Sequence, residues 1–189
     1  MKRWVLNQWG KNEESEAPQY LSKFVVACAF VWASLVKAKY PDDDADEVEY
    51  FRFPADCRDL FEYPIPATYV GNCLTRCHTM VKRKELKGEG GFVKAVKAIA
   101  RALTDMKSEP LKGAENWQEL GRKMFVSGRM VVVAGSPTFG VYENDFGFGR
   151  PTKVEMMLHP LIACVFLAES GEKGGGLELG FQGLETFKS

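Results

Sequence analysis

The longest apolar run in the sequence, the thirteen residues Phe24 to Val36, most constrains what this chain can become. It is too short to cross a bilayer, which takes about 20 residues. Leu21, Phe24, Val25, Cys28, Val31, Trp32, Leu35 and Val36 recur at the helical period, so the segment is a helix with one broad apolar face. Lys37, Lys39 and Pro41 mark its end, where cations suit the helix dipole and proline stops the ladder. A face that wide has to be covered by other elements.

The rest of the chain supplies them. Val48 to Ala55 alternates and is rich in aromatics, predicting a strand that runs into Asp56-Cys57-Arg58. Phe61 to Pro66 carries two prolines and reads as an extended segment. Tyr69-Val-Gly-Asn-Cys73 is a turn into a second strand, about Cys73 to Arg83. After the break at Gly88 to Gly91, Phe92, Val93, Val96, Ile99, Ala100 and Leu103 define a helix; Trp117, Leu120, Met124 and Phe125 define another. Met130 to Ala134 reads as a fully buried strand. Lys153 to Met157, Leu161 to Ala168 and Leu177 to Phe181 read as further strands, the last two joined across the glycine-rich Glu172 to Gly176. Residues 10–18 and the acidic run Asp42 to Glu49 read as solvated loops. The class is α/β, a mixed sheet with flanking helices, and 189 residues with 46% apolar content fit one domain over 1–189.

Charge is balanced, 25 basic against 25 acidic residues, so no nucleic-acid or membrane partner is expected. Five cysteines, an odd number in apolar contexts, read as reduced core thiols of a cytosolic protein. Met1 to Gln8 lacks the continuous apolar segment of a signal peptide, although Trp4 and Trp9 place element interior at the very start. Cys73-x-x-x-Cys77-His78 has the look of a metal cluster. On a strand, however, its sulfurs would stand about 13 Å apart, against the ~4 Å that a shared zinc requires; no metal is expected. Lys82-Arg83-Lys84…Lys87 reads as a solvated strand end, with phosphate contact or a localisation signal as its alternative.

The most specific stretch is Asn144-Asp-Phe-Gly-Phe-Gly-Arg-Pro151, a turn whose shape is fixed by glycine and proline. Asp-Phe-Gly suggests a kinase, but the catalytic-loop His-Arg-Asp, the strand lysine and the glycine-rich loop are missing upstream. There is no Gly-x-Ser-x-Gly elbow, and neither His78 nor His159 has a carboxylate four residues on. By motif, the chain carries no general base.

Asp56-Cys57-Arg58, then Pro64-Ile-Pro66-x-x-Tyr69-Val-Gly-Asn-Cys73, then Tyr142-Glu-Asn-Asp145-Phe-Gly-Phe-Gly149-Arg-Pro-x-Lys-Val-Glu155 together resemble the C-terminal half of plant BAHD acyltransferases, over about Trp4 to Gly180. The Tyr69-to-Cys73 turn and the phenylalanine form of the glycine motif are similar to the branch that malonylates anthocyanins and phenolic glucosides. Departures are Val70 in place of an aromatic and the irregular Met157-Leu-His-Pro160. The resemblance implies a chloramphenicol-acetyltransferase-like fold, with the channel between two domains and the His-x-x-x-Asp base in the other one.

It also implies an acyl-CoA co-substrate (malonyl-CoA for that branch), a small-molecule acyl acceptor, and partnership with the missing N-terminal domain or an intact homologue. Asp145 is expected to pair with Arg58 as a structural clasp, and Phe146, Gly147, Phe148 and Gly149 to shape the turn. Ser22 and Lys23 are expected at the coenzyme A site, with a plain N-cap as the alternative for Ser22. Ser136, Thr138 and Phe139 are expected along the acceptor pocket. The competing expectation is a non-catalytic remnant that binds coenzyme A, another ligand or a partner.

Overall fold

The structure, a computed structural model, describes residues 1–9, 21–156, 163–171 and 175–182. Helix α1 (Lys2–Trp9) precedes α2 (Lys23–Lys39), whose N-cap Ser22 accepts from the Val25 N–H at 3.1 Å. Strands β1 (Val48–Asp56) and β2 (Leu74–Lys82) are antiparallel, in register from Val48↔Lys82 to Asp56↔Leu74. The short α3 (Arg83–Lys87), α4 (Gly91–Ser108) and α5 (Trp117–Val126) follow, then β3 (Met130–Ala134), β4 (Ala163–Glu169) and β5 (Leu177–Gln182).

The strands form one sheet in the order β2-β1-β3-β4-β5. β1, β3 and β4 run parallel, and the two edge strands are antiparallel to their neighbours. The expected mixed sheet with flanking helices is what the chain builds.

One face of the sheet carries Phe51, Phe53, Cys77, Val131, Val133, Val165 and Leu167 into a core shared with α2 and α4. The period read from the sequence puts Val25, Cys28, Trp32 and Val36 of α2 on that side. Trp32 lies against Phe51 with ring centroids 5.2 Å apart, and Phe24 meets Phe53 edge-on at 5.3 Å. Fully burying a side chain such as Phe51 contributes about 1.5–3 kcal/mol, so this face dominates the stability of the fold. On the other face α5 leans over the β1–β2 end with Met124 buried, near Arg52, Arg76 and His78. Among the described residues no helix is long and apolar enough to cross a membrane.

The acidic run departs from the solvated loop expected of it. Arg83, its side chain only 3% exposed, donates through Nε to Glu49 at 2.8 Å and through Nη2 to Glu47 at 2.9 Å. It also reaches Asp43, and its guanidinium lies 3.6 Å from the Tyr40 ring centroid. Lys82 and Lys84 hold Asp46 at 2.8 and 2.9 Å, and Lys87 holds Asp44 at 2.6 Å. The basic cluster and the acidic run are therefore each other's partners, because a guanidinium taken out of water has to be neutralised.

The element interior expected at Trp4 and Trp9 is helix α1, in which Trp9 is buried and Trp4 half-exposed. One other expectation changes. The described part of the expected 153–157 strand joins no ladder; the Val154 N–H goes instead to the Tyr142 hydroxyl at 3.3 Å. The loop expected over 10–18, His159, residues 161 and 162, and most of the Glu172–Gly176 turn lie outside the described residues.

Candidate functional site at the carboxyl edge of the sheet

Because β1, β3 and β4 are parallel, their carboxyl ends share one edge of the sheet. Helix α2 opens at that edge, since Lys23 Nζ donates to the Gly175 carbonyl between β4 and β5. In open α/β sheets, this edge is where ligands collect.

β3 leaves through Gly135, whose φ is +77° and whose added Cβ would sit 2.6 Å from the Leu167 carbonyl oxygen. Only glycine satisfies both conditions. It turns the chain into Ser136, Pro137 and Thr138, where the Ser136 and Thr138 hydroxyls are 2.8 Å apart. Phe139 beside them is largely exposed.

β4 leaves through Glu169. Its Oε1 accepts from the Tyr142 N–H at 3.4 Å, and its Oε2 is buried without a partner among the described residues. Tyr142 donates its hydroxyl to Glu178 Oε2 at 2.6 Å, and the Gly171 N–H reaches Glu178 Oε1 at 3.1 Å. The hydrogen bond to Glu178 pushes the Tyr142 hydroxyl pKa up and holds the Glu178 carboxyl below its ordinary value. A cleft of about 510 Å³ opens between Thr138, Tyr142, Glu143, Arg150, Glu169 and Gly171. Tyr142 stood inside the sequence motif without an assigned role. Glu178 comes under the site only through the β4–β5 register, which places it opposite Ala168.

β1 leaves through Asp56 and Arg58. Arg58 Nη1 donates to Asp56 Oδ2 at 2.7 Å, its Nη2 to the Gly71 carbonyl at 3.3 Å, and its backbone N–H to Asp56 Oδ1 at 3.0 Å. The Arg58 backbone N–H, followed by its guanidinium, lowers the Asp56 pKa.

The expected Asp145–Arg58 clasp is corrected here. Asp145 Oδ1 accepts from the N–H groups of Gly147 at 2.7 Å and Gly149 at 3.1 Å. Both glycines have φ of +93°, which folds the backbone donors of the turn around its own carboxylate. Arg58, for its part, finds an acid two residues away, at little entropic cost. Phe146 and Phe148 project from the turn, 85% and 98% exposed.

Ser22 is the N-cap of α2; as an acceptor, it keeps its O–H free to donate. Lys23 lies at the edge on Gly175. His78 sits mid-ladder on the far face, opposite Arg52, with burial and then Arg52 lowering its pKa. It is not at the carboxyl edge. Cys77 lies within β2 and Cys73 just before it, and Cys73 Sγ is 3.7 Å from Cys57 Sγ.

This α/β architecture is the chloramphenicol-acetyltransferase-like fold of acyltransferases. Vinorine synthase matches it with a TM-score of 0.69 at 17% identity, over 94% of this chain and 40% of that one. TRI101 of F. graminearum complexed with ethyl coenzyme A matches at TM-score 0.58 and 15% identity, over 88% and 40%. The sequence goes further: residues 6–182 match the model of the Transferase family, and the chain belongs to that family, the BAHD acyltransferases.

Coumaroyl-CoA:anthocyanidin 3-O-glucoside-6''-O-coumaroyltransferase 1 of Arabidopsis thaliana is 36% identical, over 95% of this chain and 39% of its own length. Malonyl-coenzyme:anthocyanin 5-O-glucoside-6'''-O-malonyltransferase of Salvia splendens is 38% identical, over 84% and 35%. Phenolic glucoside malonyltransferase 2 of Arabidopsis thaliana is 34% identical, over 85% and 36%. The chain thus spans well under half the length of these relatives.

Proposed function

We propose that this chain supplies the coenzyme A-facing half of an acyl-CoA-dependent O-acyltransferase of the cytosol. The donor is malonyl-CoA and the acceptor a hydroxyl of a flavonoid or phenolic glucoside. The observation that carries this reading is the convergence of the α2 N-terminus, the exits of β1, β3 and β4, and the glycine motif on one edge, in a chain whose relatives are named as acyl-CoA transferases.

The chemistry follows from that edge. The phosphates of coenzyme A meet Lys23 and the unsatisfied N–H groups of the first turn of α2, and Ser22 donates its free O–H. Ser136, Thr138 and Phe139 line the acceptor side beside the Tyr142–Glu169 cleft. A neutral histidine removes the acceptor hydroxyl proton as the oxygen attacks the thioester carbonyl, and the coenzyme A thiolate leaves. Neither His78 nor His159 stands in a His-x-x-x-Asp motif. The base therefore comes from the portion that corresponds to the rest of the relatives' length, and the chain by itself binds without turnover.

The alternative is a non-catalytic remnant that binds coenzyme A or an intact homologue. It is favoured by the aromatic surface of Phe139, Phe146 and Phe148, which a partner would cover.

Calorimetry with coenzyme A, followed by transfer assays on a phenolic glucoside with malonyl-CoA and coumaroyl-CoA, tests both readings. We expect binding without turnover by the chain alone, and malonyl transfer once the N-terminal half of a relative is added. Turnover by the chain alone would refute the missing base, and absent coenzyme A binding would refute the site. Binding that never yields transfer supports the remnant.

A further inference from the structure

Cys57 and Cys73 close the ladder of β1 and β2 beyond its last strand pair. Asp56 faces Leu74, and the Cys57 N–H then donates to the Cys73 carbonyl at 3.2 Å, so the two cysteines stand directly opposite on the same face. Their sulfurs are 3.7 Å apart, and both are free thiols. Cys57 is 2% exposed and Cys73 9%. Residues facing each other across an antiparallel pair have Cα atoms about 4.5–5.5 Å apart, inside the range a disulfide spans. Between them runs the exposed loop that holds Tyr63, Tyr69 and Val70, tied back by Arg58 Nη2 on the Gly71 carbonyl and by the Ile65 N–H on the Arg58 carbonyl.

We propose that Cys57 and Cys73 are a reversible oxidation site, closing to a disulfide by exchange with a low-molecular-weight disulfide such as oxidised glutathione. Cys73, the more exposed of the two, attacks as thiolate when the loop lifts. The S–S bond of glutathione disulfide breaks, one glutathione leaves, and a mixed disulfide forms on Cys73. The Cys57 thiolate then attacks the Cys73 sulfur of that mixed disulfide, and the second glutathione leaves. The two protein thiols are oxidised and the glutathione disulfide is reduced to two thiols, which carry the two protons. Burial raises the Cys57 pKa, which makes closure slow and keeps the pair reduced where thiols predominate.

Closing the bond fixes the end of β1 to the start of β2, and with it the Asp56–Arg58 pair at the carboxyl edge. The loop 58–72 becomes a closed ring that no longer lifts. Cys77, further along β2 on the same face, stays a thiol because its strand neighbour is Phe53.

Folded protein equilibrated in glutathione buffers of increasing oxidised fraction, alkylated and then measured intact, tests the site. The expected result is a chain that takes up two fewer alkyl groups than the reduced chain, because two thiols are consumed by the bond, with the bond mapping to Cys57–Cys73 in a non-reducing digest. Tryptic cleavage after Arg58 should slow by roughly tenfold in the oxidised form, since local opening of the loop is restrained. Cys77→Ser should behave as the unmodified chain, and Cys73→Ser should stop at a glutathione adduct or not react. A chain that stays fully reduced, a bond that maps to another pair, or closure seen only after unfolding would each overturn the proposal. The wild-type mass and map decide it whether or not any variant folds.

Discussion

β1 carries an arginine–carboxylate pair at each end, and the two ends differ in everything except chemistry. At its start Glu49 meets Arg83, with side chains 4% and 3% exposed, and Glu47, Asp43 and the Tyr40 ring complete the shell. At its finish Asp56 meets Arg58, with side chains 58% and 28% exposed. The acids move in opposite directions: burial pushes Glu49 up despite Arg83, while the Arg58 N–H and guanidinium pull Asp56 down. An ion pair in water is worth little and can be exchanged, whereas one out of water holds the fold because losing either member strands the other. The strand is thus anchored at one end and left available at the other, where the candidate site lies.

The sharpest way to break this contrast is Arg83→Ala. It strands Glu49 in the interior beside Glu47 and Asp43, so we expect a loss of about 3–5 kcal/mol at neutral pH by denaturant unfolding. The sign with pH follows from Glu49. With the guanidinium gone its folded pKa rises further above 4.5, so the variant recovers stability as pH falls through that raised value and loses it as pH rises. A deficit that does not shrink on mild acidification would mean that Glu49 is not the stranded charge.

A middle-sized effect belongs to the glycine motif. Gly147→Ala forces a Cβ onto φ of +93° with nothing nearby to clash. The cost is therefore backbone strain alone, about 1–2 kcal/mol, read as a lowered midpoint in the same unfolding experiment. The smallest effect is expected from Arg58→Ala, below about 1 kcal/mol because the pair is partly solvated. In that variant Asp56, followed by NMR, should titrate closer to 3.8. A loss as large as that of Arg83→Ala would erase the distinction between the two ends.

The fold was legible where period and composition act locally. Leu21 to Val36 shows its helical face in the sequence, and Met130 to Ala134 shows a strand, buried at Val131 and Val133 and only partly at Val132 and Ala134 on its other face. What stayed hidden depends on partners far along the chain. Arg83 lies 34 residues from Glu49, so a basic cluster and an acidic run each read as solvated until β2 is laid beside β1. The Asp145–Arg58 pairing was expected from family pattern, whereas the turn's own N–H groups, aimed by two positive-φ glycines, claim the carboxylate. Ser22, Lys23 and Ser136 to Phe139 all stand at the carboxyl edge, but the Tyr142–Glu169–Glu178 network appears only once β4 and β5 are in register.

The bond from Lys23 to the Gly175 carbonyl joins residues 152 positions apart. A ribosome adding about 5–20 residues per second delivers Gly175 roughly 8–30 seconds after Lys23. During that interval α2, β1 and β2 have already emerged, while the first turn of α2 waits for its companion. The carboxyl edge therefore waits on residues made well after α2, and a chain halted before Gly175 would hold much of the core residue set but not the assembled edge.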